Sequence, residues 1–315
     1  ELTKNENMDD KFDYRENYMK IAKRLVLFFA VNLLIIGTIS VVTSLLGIQP
    51  YLNSKGLNYD SLIVFCLIWG FGGAFVSLAM SRLMAKWMMG VKTVDVNSTN
   101  PELRALVSRV HFFSRKAGLI KMPEVGIYES DDLNAFATGP TKSRSLVAVS
   151  TGLLRNMSPQ EIDGVLAHEV AHVANGDMVT MTLIQGVVNA FVMFFARVIG
   201  FFASQFVDEK QRPMVQFGVV LVAEILLGIL GMLVVSAFSR RREFRADSGA
   251  AEISSPQNMI AALERLKVNY QIPTEDEQSA IAALKISGKK SGFLKLFSTH
   301  PELDDRISAL RKSMQ

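Results

Sequence analysis

Residues 168–172 read His-Glu-Val-Ala-His, and the interpretation of the whole chain starts from this stretch. Side chains four residues apart lie on one face of a helix, so the imidazoles of His168 and His172 can reach a single metal ion. Glu169 lies at the edge of that face, where it can hold and deprotonate a water molecule at the metal. Because the chain has only four histidines, this arrangement favours a zinc site over two histidines that share a helix by chance.

The residues around this motif predict a helix with defined ends. Ser158-Pro159-Gln160-Glu161 has the spacing of a capping box with proline in the first turn, and Gly176 is a typical stop. An apolar stripe at helical spacing is formed by Ile162, Val165, Leu166, Val170 and Val173. Both histidines fall outside that stripe, so we expect the helix to bury one face and to present the other to the metal.

Four apolar runs, at residues 25–48, 62–80, 179–207 and 214–238, predict four membrane-spanning helices, since a span needs about 20 residues. They explain why 49% of the residues are hydrophobic although 20% are charged. Basic residues flank the runs: Lys20, Lys23, Arg24, Arg82, Lys86, Lys92, Arg240, Arg241, Arg242 and Arg245. By the positive-inside rule, both termini are expected in the cytoplasm of a multi-pass protein.

Composition excludes several other classes of protein. The net charge of +4 is too small to indicate a nucleic-acid partner. The single cysteine, Cys66, permits neither an intramolecular disulfide nor a cysteine-rich metal site. No stretch has the pattern of a cleavable signal peptide.

The predicted fold is mainly α with a small β-sheet: a four-helix transmembrane region and a cytoplasmic, zincin-type catalytic domain. Short strands are expected at Glu124 to Tyr128, Ala135 to Thr138 and Leu146 to Ser150. Capping boxes at Thr99-Asn100-Pro101-Glu102 and Thr299-His300-Pro301-Glu302 are expected to open two further helices. The expected segments are a polar tail (1–18), a first transmembrane pair (19–90), a catalytic subdomain (91–178), a transmembrane hairpin (179–239) and a helical subdomain (240–315).

Two charged residues interrupt the last two apolar runs. Arg197 and Glu224 stand at nearly the same depth when counted from the turn near residue 210, so we expect them to face each other in an antiparallel hairpin. Charges within a membrane are candidates for function. A purely structural ion pair explains them equally well, and both interpretations remain open.

A catalytic zinc site needs a third protein ligand and keeps one position open for water. The best candidate is Glu243, on a predicted helix just after the fourth apolar run. Asp247 falls on the same face one turn later, where it could accept a hydrogen bond from the free nitrogen of a ligand histidine. Asp177 competes for either role, and Glu252 and Glu264 are weaker candidates. The alternative is that Glu243 and Asp247 only offset the neighbouring arginines.

Taken together, these motifs resemble the HtpX family of bacterial inner-membrane zinc proteases, which is related to the CAAX prenyl proteases. The resemblance extends from Met19 nearly to the end of the chain. It rests on the stretches His168 to His172, Asn175 to Asp177, Asn134 to Gly139, Glu243 to Asp247 and Thr299 to Pro301. One departure is Arg245, where a histidine is expected in many relatives.

The resemblance implies a metalloendopeptidase with one zinc ion per chain, active at the cytoplasmic face of the inner membrane. Its implied substrates are misfolded or damaged membrane proteins, within a stress response, and other membrane quality-control proteases are candidate partners. The bilayer is a partner in any case. The resemblance also makes His300 the candidate donor to the reaction intermediate, with Arg306 in support. The alternative for His300 is an ordinary residue in the first turn of a helix.

Substrate binding is assigned to the stretch Asn134, Ala135, Phe136, Ala137 and Thr138. As an edge strand beside the cleft, it could pair with an extended peptide, and Asn134 could bind a substrate carbonyl. The alternative is an ordinary sheet edge.

Two rival functions are compatible with the same metal motif. A prenyl-protein protease of the CAAX type would use the same chemistry, but we expect it to need more than four membrane helices. A scaffold or transporter with structural zinc would close the site with a fourth protein ligand, such as Asp177 or His300.

Overall fold

The computed structural model describes residues 59–271 and 298–314. Within these ranges eight α-helices and one four-stranded sheet are present. They are α1 (Tyr59–Met88), β1 (Lys92–Thr93), α2 (Pro101–Lys116), β2 (Glu124–Tyr128), β3 (Ala135–Thr141), β4 (Arg144–Ser150), α3 (Thr151–Asn156), α4 (Pro159–Asn175), α5 (Asp177–Ser204), α6 (Arg212–Ile253), α7 (Pro256–Gln271) and α8 (Leu303–Ser313). The predicted class, mainly helical with a small sheet, is confirmed.

Three of the described helices, α1, α5 and α6, are long and apolar enough to cross a membrane. They correspond to the second, third and fourth apolar runs of the sequence. The first run, at residues 25–48, and the polar tail lie outside the described residues. The division of the chain into five segments therefore stays a prediction.

Small residues allow the three apolar helices to approach one another closely. A Cβ atom at Gly70 of α1 would lie 2.6 Å from the backbone nitrogen of Ala190 in α5. Gly200 of α5 meets the side chain of Val220 in α6 in the same way. Glycines of this kind let helix backbones come together where no hydrophobic effect drives association. The close approach is at Gly70, whereas a Cβ at Gly73 would meet nothing within 4 Å.

The two charged residues of the hairpin face each other, as predicted. Nη1 of Arg197 in α5 donates a hydrogen bond of 2.9 Å to Oε1 of Glu224 in α6. The guanidinium also lies over the ring of Phe65 in α1, at 5.2 Å from its centroid. The ion pair therefore joins α5 to α6 at a point where α1 also packs.

The sheet has the order β1-β2-β4-β3, which makes β3 an edge strand, as predicted. β2 pairs in parallel with β4, and β3 pairs antiparallel with β4 from Ala135 opposite Val149 onward. β2 has the predicted bounds, while β3 and β4 extend further toward the turn that joins them. β1 was missed because two residues are too few to show an alternating pattern.

Helix α4 begins and ends where the sequence predicted. Ser158 and Glu161 form the capping box, and Gly176 ends the helix in the left-handed conformation with φ of 72°. The face that carries His168 and His172 is turned to α6 rather than to solvent, and the two histidines are only 7% and 8% exposed. Other helices cover α4 on several sides: Asn258 of α7 lies against Gly164, and Gly249 of α6 lies against Ala171.

Two predicted helix starts are shifted in the structure. Helix α2 is capped by Asn100 rather than Thr99, because the Asn100 side chain accepts from the backbone N–H of Glu102 while Pro101 occupies the first turn. Helix α8 begins at Leu303 with Glu302 in the capping position and no side-chain cap. His300 therefore lies outside the helix.

Candidate active site

The three predicted metal ligands come together from two helices. His168 and His172 lie one turn apart on α4, and Glu243 lies on α6 beyond the apolar part of that helix. The Nε2 atoms of the two histidines are 3.1 Å apart, and Oε2 and Oε1 of Glu243 lie 3.4 and 3.5 Å from Nε2 of His168 and His172 respectively. All three residues are buried. The result is a compact triangle of two imidazole nitrogens and a carboxylate.

This triangle has the dimensions of a zinc site. Ligand atoms about 2.0–2.2 Å from a tetrahedral ion are about 3.3–3.6 Å from one another. The three observed separations fall at or close to that range. In the described part of the chain the cluster has three members, so a fourth protein ligand is not supplied there. Asp177 reaches the opposite nitrogen of its histidine and does not compete for the metal position.

His168 is held by a buried chain of polar contacts. Its Nδ1 lies 3.0 Å from Oδ1 of Asp247, one turn beyond Glu243 on α6. Arg306 of α8 binds both oxygens of that carboxylate, with Nη2 and Nε at 2.6 and 2.7 Å. Such a carboxylate fixes the ring orientation and leaves the Nε2 lone pair directed at the metal position. The structure therefore places Asp247 and Arg306 together behind His168.

A second chain of the same kind holds His172. Its Nδ1 lies 2.7 Å from Oδ2 of Asp177, the first residue of α5. The other oxygen of Asp177 accepts a hydrogen bond from Nη2 of Arg245 on α6. The sequence predicted a role for Asp177, whereas Arg245 stood out only as part of the basic cluster after the fourth apolar run and as a departure from the histidine expected in many relatives. No sequence signal indicated this contact, because it depends on the packing of α5 against α6.

These contacts change the acidity of the histidines. Burial by itself would lower the pKa of His168, but its hydrogen bonds with Asp247 and Glu243 raise the pKa to about 9. Burial likewise opposes the charged form of His172, and its contacts with Asp177 and Glu243 raise the pKa above the ordinary value. Both imidazoles are thus surrounded by carboxylates that favour a positive charge, whether from a proton or from a metal ion.

The remaining predicted residues lie at different distances from the triangle. Glu169 is half-buried on α4, next to His168. His300 precedes α8 and places Nδ1 at 3.2 Å from Oε2 of Glu243, with 62% of its side chain exposed. Nη1 of Arg306 lies 3.5 Å from the same oxygen. The structure therefore brings His300 to the rim of the triangle and Arg306 beneath it.

The weaker ligand candidates are excluded by their positions. Glu252 is exposed near the end of α6, outside the cluster of ligands. Glu264 of α7 forms an ion pair of 2.7 Å with Arg311.

The predicted substrate strand lies next to α4. Residues 135–138 are half-buried, and Asn134, just before β3, is exposed. Ala135 and Ala137 pack against the main core, whereas Phe136 packs with Tyr128 on the opposite face of the sheet. Since β3 pairs with β4 along one side only, its other side is the edge of the sheet. A role in substrate binding stays a prediction.

Comparisons of sequence and of structure with known proteins both find membrane proteases. The sequence profile of peptidase family M48 matches residues 97–314. A protease HtpX homolog of Bacillus velezensis is 52% identical over 296 residues, covering 92% of this chain and 99% of that protein. One of Thiobacillus denitrificans is 48% identical over 291 residues, with the same coverage. The crystal structure of S. mikatae Ste24p shares the fold, with a TM-score of 0.60 at 18% identity, over 91% of this chain and 66% of that one.

Proposed function

Because this chain belongs to peptidase family M48 and is a membrane metalloprotease related to HtpX, we propose that it is a zinc endopeptidase whose site is built from α4 and α6. The observation that carries this proposal is the triangle of His168, His172 and Glu243, whose spacing fits zinc. A catalytic zinc ion with three protein ligands would keep its fourth position for water. Asp247 and Asp177 orient the two imidazoles.

The protein's own residues carry the proton transfers of the proposed reaction. A zinc ion held by His168, His172 and Glu243 would supply Lewis acidity to a water molecule and to the scissile carbonyl. Glu169 takes the proton from the attacking water and later delivers it to the leaving amine. Glu169 follows His168 directly on α4 and its charge acts on the His172 imidazole, so its carboxylate would hold this water beside the ligand triangle.

The negative charge that develops on the carbonyl oxygen needs a hydrogen-bond donor. We assign this role to His300, because it reaches the rim of the triangle from a segment that is otherwise exposed. Arg306 supports it by holding the carboxylates beneath the site in place. The exposure of His300 leaves it free to turn toward a bound peptide.

An extended substrate would pair with the free edge of β3. Main-chain hydrogen bonds along residues 134–138 would supply affinity with little sequence preference, which suits an enzyme that acts on misfolded chains. Helix α5 begins five residues after His172, so the site lies close to the membrane. We therefore assign the enzyme to quality control of damaged membrane proteins at the cytoplasmic face of the bacterial inner membrane, as part of a stress response.

The experiment that tests the peptidase function compares Glu169→Gln with the unchanged protein on fluorescently labelled casein. Loss of a general base costs about 100- to 10,000-fold in rate, so cleavage should fall by at least that lower factor. Zinc content, measured on the same samples, should remain at one ion per chain because Glu169 is not a ligand.

The matched control is Glu252→Gln, which neutralises an exposed carboxylate outside the cluster of ligands and should leave cleavage unchanged. Equal rates for Glu169→Gln and the unchanged protein would refute the proposed mechanism.

A further inference from the structure

A basic pocket lies where the α2–β2 loop meets the turn between β3 and β4. It has a volume of about 480 Å³, and its lining includes Ile120, Lys121 and Lys142 together with Ala174 of α4. Both lysines are exposed, and no carboxylate is among the lining residues that the structure describes. The pocket therefore suits a ligand with negative charge.

The pocket lies beside the point where the chain enters the membrane. The Cε atom of Lys142 would be 3.3 Å from a Cβ atom at Gly176, the residue that joins α4 to α5. Along α5, the first large apolar side chain exposed in the structure is Leu183. Six residues of helix separate it from Asp177, which is about 9 Å. The headgroup layer on one side of a bilayer is about 5–8 Å thick, so Gly176 would lie just above that layer, within reach of a lysine side chain.

The directions of α2 and α4 place the pocket at the end of the domain where α4 meets α5. Arg109, near the middle of α2, pairs with Asp163, near the start of α4, at 3.1 Å. The residues just after α2 and the last turn of α4 both line the pocket. The two helices therefore run in the same direction, and the loop after α2 lies at the membrane end of α4.

Ile120 is the most exposed large apolar residue of the described chain, with a relative exposure of 104%. Single exposed apolar residues are common on soluble surfaces. This one stands beside two lysines, close to the expected surface of the headgroup layer. An aliphatic side chain flanked by lysines is the pattern of a surface that rests on an anionic membrane.

We propose that this pocket binds the headgroups of anionic phospholipids in the bilayer that α5 crosses. Lys121 and Lys142 contact the phosphates, and Ile120 inserts among the headgroups. The catalytic domain is thus held against the membrane by a contact of its own, separate from the transmembrane helices. This role goes beyond the proposed peptidase function and does not depend on it.

The test uses the full chain with p-benzoylphenylalanine at position 120, reconstituted in vesicles of equal parts phosphatidylglycerol and phosphatidylcholine. Illumination should yield a phospholipid adduct, detected by mass spectrometry. The control carries the same photoreactive residue in place of Val268, which is 50% exposed on α7. Helix α7 packs Asn258 against Gly164 and Arg265 against Asn156, so Val268 lies near the end of α4 away from the membrane. Its adduct should be several-fold weaker.

The charge requirement is tested with the pair Lys121→Glu and Lys142→Glu, which should lower the adduct at position 120 several-fold. Arg104→Glu, an exposed site at the other end of α2, should leave it unchanged. The milder pair Lys121→Gln and Lys142→Gln serves if the first does not fold.

The protein that carries the photoreactive residue at position 120 and keeps both lysines is also compared in two kinds of vesicle. Replacing phosphatidylglycerol by phosphatidylcholine alone should lower the yield several-fold. Equal yields at positions 120 and 268, or equal yields in the two kinds of vesicle, would overturn the proposal.

Discussion

At the scale of single residues, the site consists of two matching chains of contacts, one behind each histidine. His168, Asp247 and Arg306 form a fully buried chain. His172 and Asp177 continue to Arg245, whose side chain is 56% exposed. Both carboxylates need a cationic partner because each is nearly inaccessible to water. Arg245 therefore reaches His172 only through Asp177.

Arg245→Met should weaken zinc binding by about tenfold, the lower end of the effect of removing a contact behind a metal ligand. The reason is that Asp177 would lose its partner and hold His172 less firmly. Competition with a chelator measures the zinc affinity, and Arg245→Lys should restore part of it. Arg241→Met, at an exposed position four residues earlier, is the matched control. An unchanged affinity in Arg245→Met would contradict this role.

Zinc affinity should also depend on pH. In the metal-free protein the pKa of His168 is raised to about 9, so this imidazole is protonated at neutral pH and zinc must displace the proton. The apparent affinity should therefore fall about tenfold for each pH unit below 9 per proton displaced. Calorimetric titrations between pH 6 and 9 would measure it, and an affinity that stays constant over that range would show that no such proton is displaced.

The raised pKa of His168 also makes the free energy of unfolding of the metal-free protein depend on pH. Because the folded-state pKa of His168 lies above its unfolded value of about 6.5, its contribution to stability is fully present below that value. The contribution is lost as the pH rises through 9.

At the scale of elements, close packing of glycine determines how the membrane helices fit together. Gly70→Ala should destabilise the protein by about 1–3 kcal/mol, because the added methyl group would meet the backbone of Ala190 and Gly186, which cannot give way. Gly73→Ala, three residues along the same helix, meets nothing within 4 Å and is the control. Thermal unfolding in detergent compares the two. Equal melting temperatures for both variants would contradict the packing.

Some helices and strands could be predicted from the sequence and others could not. Helix α4 was predicted with both ends because its capping box and left-handed glycine are local signals. The three apolar helices and the edge position of β3 were predicted as well. The continuity of α6 over 42 residues was not, since its apolar and polar parts have different compositions and no breaker separates them. Caps at Asn100 and Glu302 were misplaced by a residue or more because several polar residues compete there.

At the scale of the whole molecule, the membrane hairpin holds the two halves of the site. Gly176 joins α4 directly to α5, and α6 runs unbroken from the membrane to Glu243 and Asp247. The ligand triangle was predictable because its residues belong to recognisable local motifs. The contact between Arg245 and Asp177 joins residues 68 positions apart, and only the packing of α5 against α6 brings them together. Contacts of that kind have no signature in sequence spacing.

The central claim is that α4 and α6 together form a three-ligand zinc site with one position open. X-ray absorption at the zinc edge tests it most directly, on the purified protein and on Glu243→Ala. We predict two imidazole nitrogens, one carboxylate and one oxygen that does not come from the protein, with zinc largely lost in the variant. A closed shell of four protein ligands, or a shell unchanged in Glu243→Ala, would contradict the account.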